Sequence, residues 1–103
     1  MDDAGWIYRF IRHLEYESRL SPLTCKNYRR DLERFVDYLD KAGVAGWDDV
    51  DSEHVRAYSA TCFRKGLSPR SIQRRLSAMR SFFRFLIREK VVDTNPVTSV
   101  ASP

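Results

Sequence analysis

Between Ser68 and Glu89 the chain repeats bulky apolar residues at helical spacing on one side and arginines on the other, with no glycine or proline after Pro69 to interrupt it. Stepping about 100° per residue from Arg70 puts Ile72, Leu76, Met79, Phe82, Phe83, Leu86 and Ile87 on one face. Arg70, Arg74, Ser77, Ser81, Arg84 and Arg88 fall within about 40° of a line opposite, with Gln73 and Arg80 beside it. An apolar face of Phe and Leu at this spacing anchors a helix to neighbouring helices. The rest of the chain must supply them.

It does so with three more helical segments. The first is expected from Asp3 to Ser18, with Trp6, Ile7, Phe10, Ile11 and Leu14 on one face. The second starts where Ser21 can cap and Pro22 can occupy the first turn. It carries Cys25, Tyr28, Leu32, Phe35, Val36 and Leu39 inward and ends at Gly43. Trp47 reads as an apolar plug beneath the following connection. The third helix is capped by Asp51, stapled by Val50 and Val55, and closed by Gly66. Ser68 and Pro69 then start the fourth, which Val91 to Pro96 ends. Strand-like alternation is absent, so the expected fold is all-α, a compact four-helix domain.

The net charge of +4 hides a segregation. Arg64 to Lys90 holds nine of the 18 basic residues and one of the 14 acidic ones, which leaves +8 there and −4 elsewhere. A concentrated positive field attracts polyanions. The stripe on the fourth helix has no acid at i±4 to neutralise it, so the helix repels itself unless an anion is near. Arginine with serine and glutamine also suits a nucleic-acid groove: guanidinium for phosphate or guanine edges, amide for adenine, small hydroxyls for close approach. A solvated helix face is the plainer alternative.

The second helix has a shorter polar row, Thr24, Lys26, Asn27, Arg30 and Arg34, countered by Asp31, Glu33, Asp37 and Asp40. It is divided between a solvated surface and a nucleic-acid face. Leu20-Ser21-Pro22-Leu23-Thr24 and Leu67-Ser68-Pro69-Arg70-Ser71 also start their helices alike, each with a cap, a proline and a third-position hydroxyl. Two well-made helix starts explain this; so do two helix N-termini offered to phosphates.

Enzyme chemistry of its own is not expected. No H-E-x-x-H, G-x-S-x-G or phosphate-cradling glycine loop occurs. His13 reads as an exposed face residue and His54 as the third residue of its helix. Cys25 and Cys62 have neither disulfide-framework nor metal-ligand spacing and are expected as reduced, partly buried thiols. No catalytic residue, metal site or cofactor is assigned. No apolar run nears the roughly 18 residues of a membrane span, and the acidic start Met1-Asp2-Asp3 is unlike a secretory signal. A cytoplasmic protein is expected.

Larger fragments carry a resemblance. Glu17-Ser18-Arg19-Leu20-Ser21 with Thr24, Tyr28-Arg29-Arg30-Asp31-Leu32, Arg64-Lys65-Gly66-Leu67-Ser68, Ser71-Ile72 and Arg75 through Leu86 resemble the N-terminal core-binding domain of bacterial tyrosine recombinases over nearly the whole chain. The resemblance implies a SAM-like four-helix domain forming one half of a C-shaped clamp on duplex DNA, its second and fourth helices facing the major groove. By position it implies Thr24, Lys26, Asn27, Arg30, Arg70, Ser71, Arg74 and Ser77 as DNA-facing residues, with Arg80 and Arg84 as further candidates. Residues 1–95 would be this domain and 96–103 the start of a linker.

The family's catalytic residues lie in a C-terminal domain outside these 103 residues, so this fragment is not expected to be an enzyme. Tyr8, Tyr16, Tyr28, Tyr38 and Tyr58 are not the nucleophile, and Tyr28 and Tyr58 look packed. The resemblance further implies that the parent cleaves DNA without metal or ATP. It would act beside a related recombinase in a tetrameric synaptic complex, with Arg9, Arg12, His13 and Tyr16 of the first helix toward neighbouring protomers. A membrane or small-molecule partner is not expected. Chromosome-dimer resolution, phage or mobile-element integration, and a basic helical protein-interaction domain stand as the alternative settings.

Overall fold

The computed structural model describes residues 1–100. Its helices are α1 (Trp6–Tyr16), α2 (Pro22–Lys41), α3 (Ser52–Arg64) and α4 (Pro69–Arg88), with a single 3-10 turn at Trp47–Asp49 between α2 and α3. Among the described residues there is no strand. The all-α, four-helix expectation holds.

Helix α1 is shorter than expected at both ends, for local reasons. At its start the Asp2 carboxylate caps from a distance, accepting from the backbone N–H of Trp6 and Ile7 at 3.0 Å each, while Gly5 turns through φ +69°. At its end Arg19 takes a left-handed conformation, φ +52°, and the Leu20 N–H returns to the Leu14 carbonyl. Helices α2, α3 and α4 start as expected. Ser21, Asp51 and Ser68 each accept from the N–H three residues on, and His54 Nδ1 completes a capping box with the Asp51 N–H.

The core runs through all four helices. Phe10, Phe35, Phe82 and Phe83 are among its fully buried side chains, and Trp47 lies edge-on to Phe82 and Phe83 beneath the α2–α3 connection. The buried face of α4 is rotated from the expected one. Ala78 and Phe85 are buried, whereas Ile87 is 37% exposed. The reason is α1, whose Trp6, Phe10 and His13 rings pack on Phe85 and draw the buried arc toward the arginine stripe. His13, expected on an exposed face, is accordingly half-buried there. Cys25 and Cys62 are free and fully buried.

Past α4 the chain packs back on the bundle. The Asn95 side chain donates to the Arg80 carbonyl and accepts from the Val97 N–H, both at 3.1 Å. Val97 and Val100 enter the core. Within the stretch 96–103, read from sequence as the start of a linker, Val97 and Val100 are thus packed against the body; residues 101–103 lie outside the described residues. Among the described residues no helix is long and apolar enough to cross a membrane.

Candidate nucleic-acid interface

Helices α2 and α4 meet along a hollow of about 250 Å³ lined by Thr24, Asn27, Tyr28, Asp31, Arg74, Ser77 and Ala78. Four sequence-derived candidates therefore share one groove: Thr24 and Asn27 from α2, Arg74 and Ser77 from α4. Their spacing explains it. Residues three or four apart lie on one face of a helix, so each pair presents a hydroxyl and a larger hydrogen-bonding group to the same gap.

The other candidates are dispersed. Ser71 is engaged at its own helix start, where Ser68 Oγ donates to Ser71 Oγ at 3.0 Å and accepts from the Ser71 N–H. Ser21 and Thr24 repeat the arrangement at α2, with their hydroxyls 2.8 Å apart. The two helix starts are alike in structure as in sequence, but their hydroxyls are paired within the turn rather than free. Lys26 faces a separate hollow against α1, with Glu15, Tyr16 and Arg29. Arg84 lines another between α1 and α4, with His13, Ser81 and Arg88. Arg30 and Arg70 are exposed and Arg80 is half-buried.

Electrostatics divide the stripe further. Asp31, read from sequence as one of four acids countering the polar row of the second helix, is 2% exposed and lines the groove. Arg74 grips it with two hydrogen bonds, Nε to Oδ2 at 3.2 Å and Nη2 to Oδ1 at 3.1 Å. Arg34 and Arg75 approach the same carboxylate at 3.9 and 4.0 Å. The stripe is thus neutralised at Arg74 by an acid from another helix, which an i±4 search along α4 could not find. At its far end Arg88 is met by Glu17, Glu89 and His13. Among the described residues Arg70, Arg80 and Arg84 have no acidic partner within 4.0 Å.

Sequence reasoning gave Asp31 no place in the site. The helical wheel held the clue: Asp31 is three residues after Tyr28 and four before Phe35, both inward-facing, so it belongs on the edge of the buried arc. Arg75 supports the groove from behind. Its Nη1 donates to the Tyr58 hydroxyl at 3.2 Å and lies 3.8 Å from Cys62 Sγ, while its Nε is buried without a hydrogen-bond partner. Burial pushes the Tyr58 hydroxyl up to about 12, aided by Cys62 and opposed by the Arg75 contact. Burial works against the Arg75 cation, but its contacts with Tyr58, Cys62 and Asp31 outweigh that and hold it above its ordinary value.

No group of three or more His, Cys, Asp or Glu side chains that could hold a metal ion occurs among the described residues. The arrangement offers directional donors and hydroxyls in one groove, on a helix that elsewhere carries Arg70, Arg80 and Arg84, which have no acidic partner within 4.0 Å among the described residues. Such a surface suits a phosphodiester partner.

Comparison with known proteins agrees on the family. The family described as the phage integrase N-terminal SAM-like domain matches residues 7–90. Tyrosine recombinase XerC of Shewanella amazonensis is 39% identical over 102 residues, covering 99% of this chain and 33% of the relative. XerC of Salmonella typhi is 38% identical over 97 residues, covering 94% and 32%, and XerC of Bacillus pumilus is 36% identical over 97 residues with the same coverage. The chain therefore spans about one third of the length of these relatives. Among solved structures, the N-terminal domain of a phage integrase/site-specific recombinase from Haloarcula marismortui superposes with a TM-score of 0.80 at 20% identity, covering 95% of this chain and 92% of that one. This last likeness speaks for the fold.

Proposed function

The chain belongs to the phage integrase N-terminal SAM-like domain family, and we propose that it is the DNA-binding module of a site-specific tyrosine recombinase of the XerC kind. It holds duplex DNA through α2 and α4. The observation that carries this reading is the α2–α4 groove, where Thr24, Asn27, Arg74 and Ser77 converge; on α4 the exposed Arg70, four residues before Arg74, has no acidic partner within 4.0 Å among the described residues. Phosphates are met by exposed arginine and by the two helix N-termini, bases by the groove side chains. Lys26, Arg30, Ser71, Arg80 and Arg84 extend the contact along the backbone.

In this reading the chain from residue 96 onward leads toward a catalytic domain that supplies the tyrosine nucleophile. The parent cuts one strand by tyrosine attack on phosphate, forming a 3′-phosphotyrosyl link, and passes it to a 5′-hydroxyl of a partner duplex. It works in the cytoplasm with an XerD-like partner in a tetrameric synaptic complex that resolves chromosome dimers. Identity near 38% to XerC relatives over almost the whole chain favours this over a phage or mobile-element integrase.

Titrating the chain with a labelled duplex at low salt tests the reading. Retention that falls steeply with added salt is expected, and absence of any binding at about 50 mM salt overturns it. Sequence encoded downstream of Pro103 supplies a second test: an Arg, a His-x-x-Arg and a Tyr are required there.

A further inference from the structure

Of the arginines on α4, Arg75 comes no nearer than 4.0 Å to the buried Asp31 carboxylate, and Arg74 is the one hydrogen-bonded to it. Asp31 takes its Nε and Nη2 donors from one side, and its own side chain is only 3% exposed, against 54% for Arg74. A guanidinium is a planar fork of five donors. With the Nε–Nη2 edge committed inward, the edge that remains for the groove is the one formed by Nη1 and the second hydrogen of Nη2. That edge presents two parallel N–H groups, the geometry that matches the O6 and N7 acceptors of guanine in the major groove.

The charge argument points the same way. Hydrogen-bonded to Asp31, Arg74 has part of its charge offset and its Nε–Nη2 edge occupied, so it is less free than an unpaired arginine to follow a phosphate, although the one carboxylate also faces Arg34 and Arg75. What it retains is direction. Arg70 and Arg84 have the opposite properties: exposed, without an acidic partner among the described residues, and free to follow a phosphate. Thr24, Asn27 and Ser77 beside Arg74 are small enough to let a base edge approach the groove floor.

We propose that Arg74 is a specificity-determining residue that reads a guanine edge, and that Asp31 is its positioning residue, buried beneath it to aim the free Nη1–Nη2 edge into the major groove. The proposal rests on the DNA-holding reading above. It assigns Asp31 a role in sequence discrimination although it cannot itself face an anion.

Selection of the chain against a randomised duplex pool tests this, with Asp31→Asn, Arg74→Lys and Arg70→Ala in parallel. Wild type should enrich guanine at one position by roughly tenfold or more. Asp31→Asn and Arg74→Lys should lose that enrichment while still retaining duplex. Arg70→Ala should weaken retention of all sequences alike and keep the enrichment. Arg74→Lys keeps the charge and leaves the floor intact, so it decides the matter if Asp31→Asn unfolds. Enrichment that survives both Asp31→Asn and Arg74→Lys overturns the proposal and leaves the DNA-binding reading standing. A wild-type chain that retains no duplex overturns both.

Discussion

Trp47 donates its indole N–H to Asp2 Oδ1 at 2.9 Å, across 45 positions of sequence. The same carboxylate caps α1 through the Trp6 and Ile7 N–H groups. One side chain therefore fixes where the first helix begins and holds the α2–α3 connection over Phe82 and Phe83, on the helix that carries the arginine stripe.

Asp2→Ala should remove both the cap and the acceptor of the buried indole, at a cost of about 1–3 kcal/mol. Asp2→Asn keeps a carbonyl oxygen for one of these donors and should cost less. Urea midpoints for the three proteins check the order. Equal midpoints for wild type and Asp2→Ala would show that the link contributes nothing to stability.

Tyr58 and Arg75 give the fold an alkaline limit. With the Tyr58 hydroxyl pushed up to about 12 by burial, the unfolded chain, whose tyrosine titrates near 10, releases this proton first. The stabilisation is complete below about pH 10 and is lost as pH rises toward 12. Denaturant midpoints followed across that range should fall more in wild type than in Tyr58→Phe. Parallel curves would assign the alkaline loss to other groups.

Most of the fold could be read from the sequence because its helix signals are local. Ser21 and Ser68 with their prolines, Asp51, and the periodic Phe and Leu positions each specify a structure within a few residues. The difficulties were long-range. In sequence Asp31 is one of four acids countering the polar row of α2, and its burial depends on α4 bringing Arg74 against it, 43 residues away. Ile87 lies on the apolar side of the wheel, but α1 covers Phe85 instead. Arg74, counted with the free cations, proved to be an ion pair. Charge patterns along one helix show how many cations there are; which of them remain free depends on neighbouring helices.

The helix ends suggest an unused gain in stability. Gly43 and Gly66 follow α2 and α3 with φ of +78° and +89°, and the corresponding residue after α4 is Lys90 at φ +61°. All three ends send the next N–H back to a carbonyl five residues earlier: Val44 to Leu39, Leu67 to Cys62, and Val91 to Leu86. This is the closure in which glycine is preferred, because a side chain in the left-handed region costs about 1–2 kcal/mol. Lys90→Gly should relieve that strain and, after the entropy glycine adds to the unfolded chain, raise stability by about 0.5–1 kcal/mol. A thermal midpoint unchanged or lowered would mean Lys90 makes a compensating contact.

The salt dependence of duplex binding should separate the arginines of α4. Each phosphate neutralised by a free cation contributes about 0.9 to the slope of log affinity against log salt. Arg70 and Arg84, without acidic partners among the described residues, should each lower the slope by about that amount when changed to alanine. Arg74 is held by two hydrogen bonds to Asp31 instead of to a phosphate, so Arg74→Ala should leave the slope near that of wild type even where it weakens binding to a preferred sequence. Titrations of one labelled duplex at several salt concentrations measure all three. A slope that drops in Arg74→Ala as far as in Arg70→Ala would mean that Arg74 leaves Asp31 for a phosphate when DNA binds. A slope unmoved in both Arg70→Ala and Arg84→Ala would take that face of α4 off the duplex.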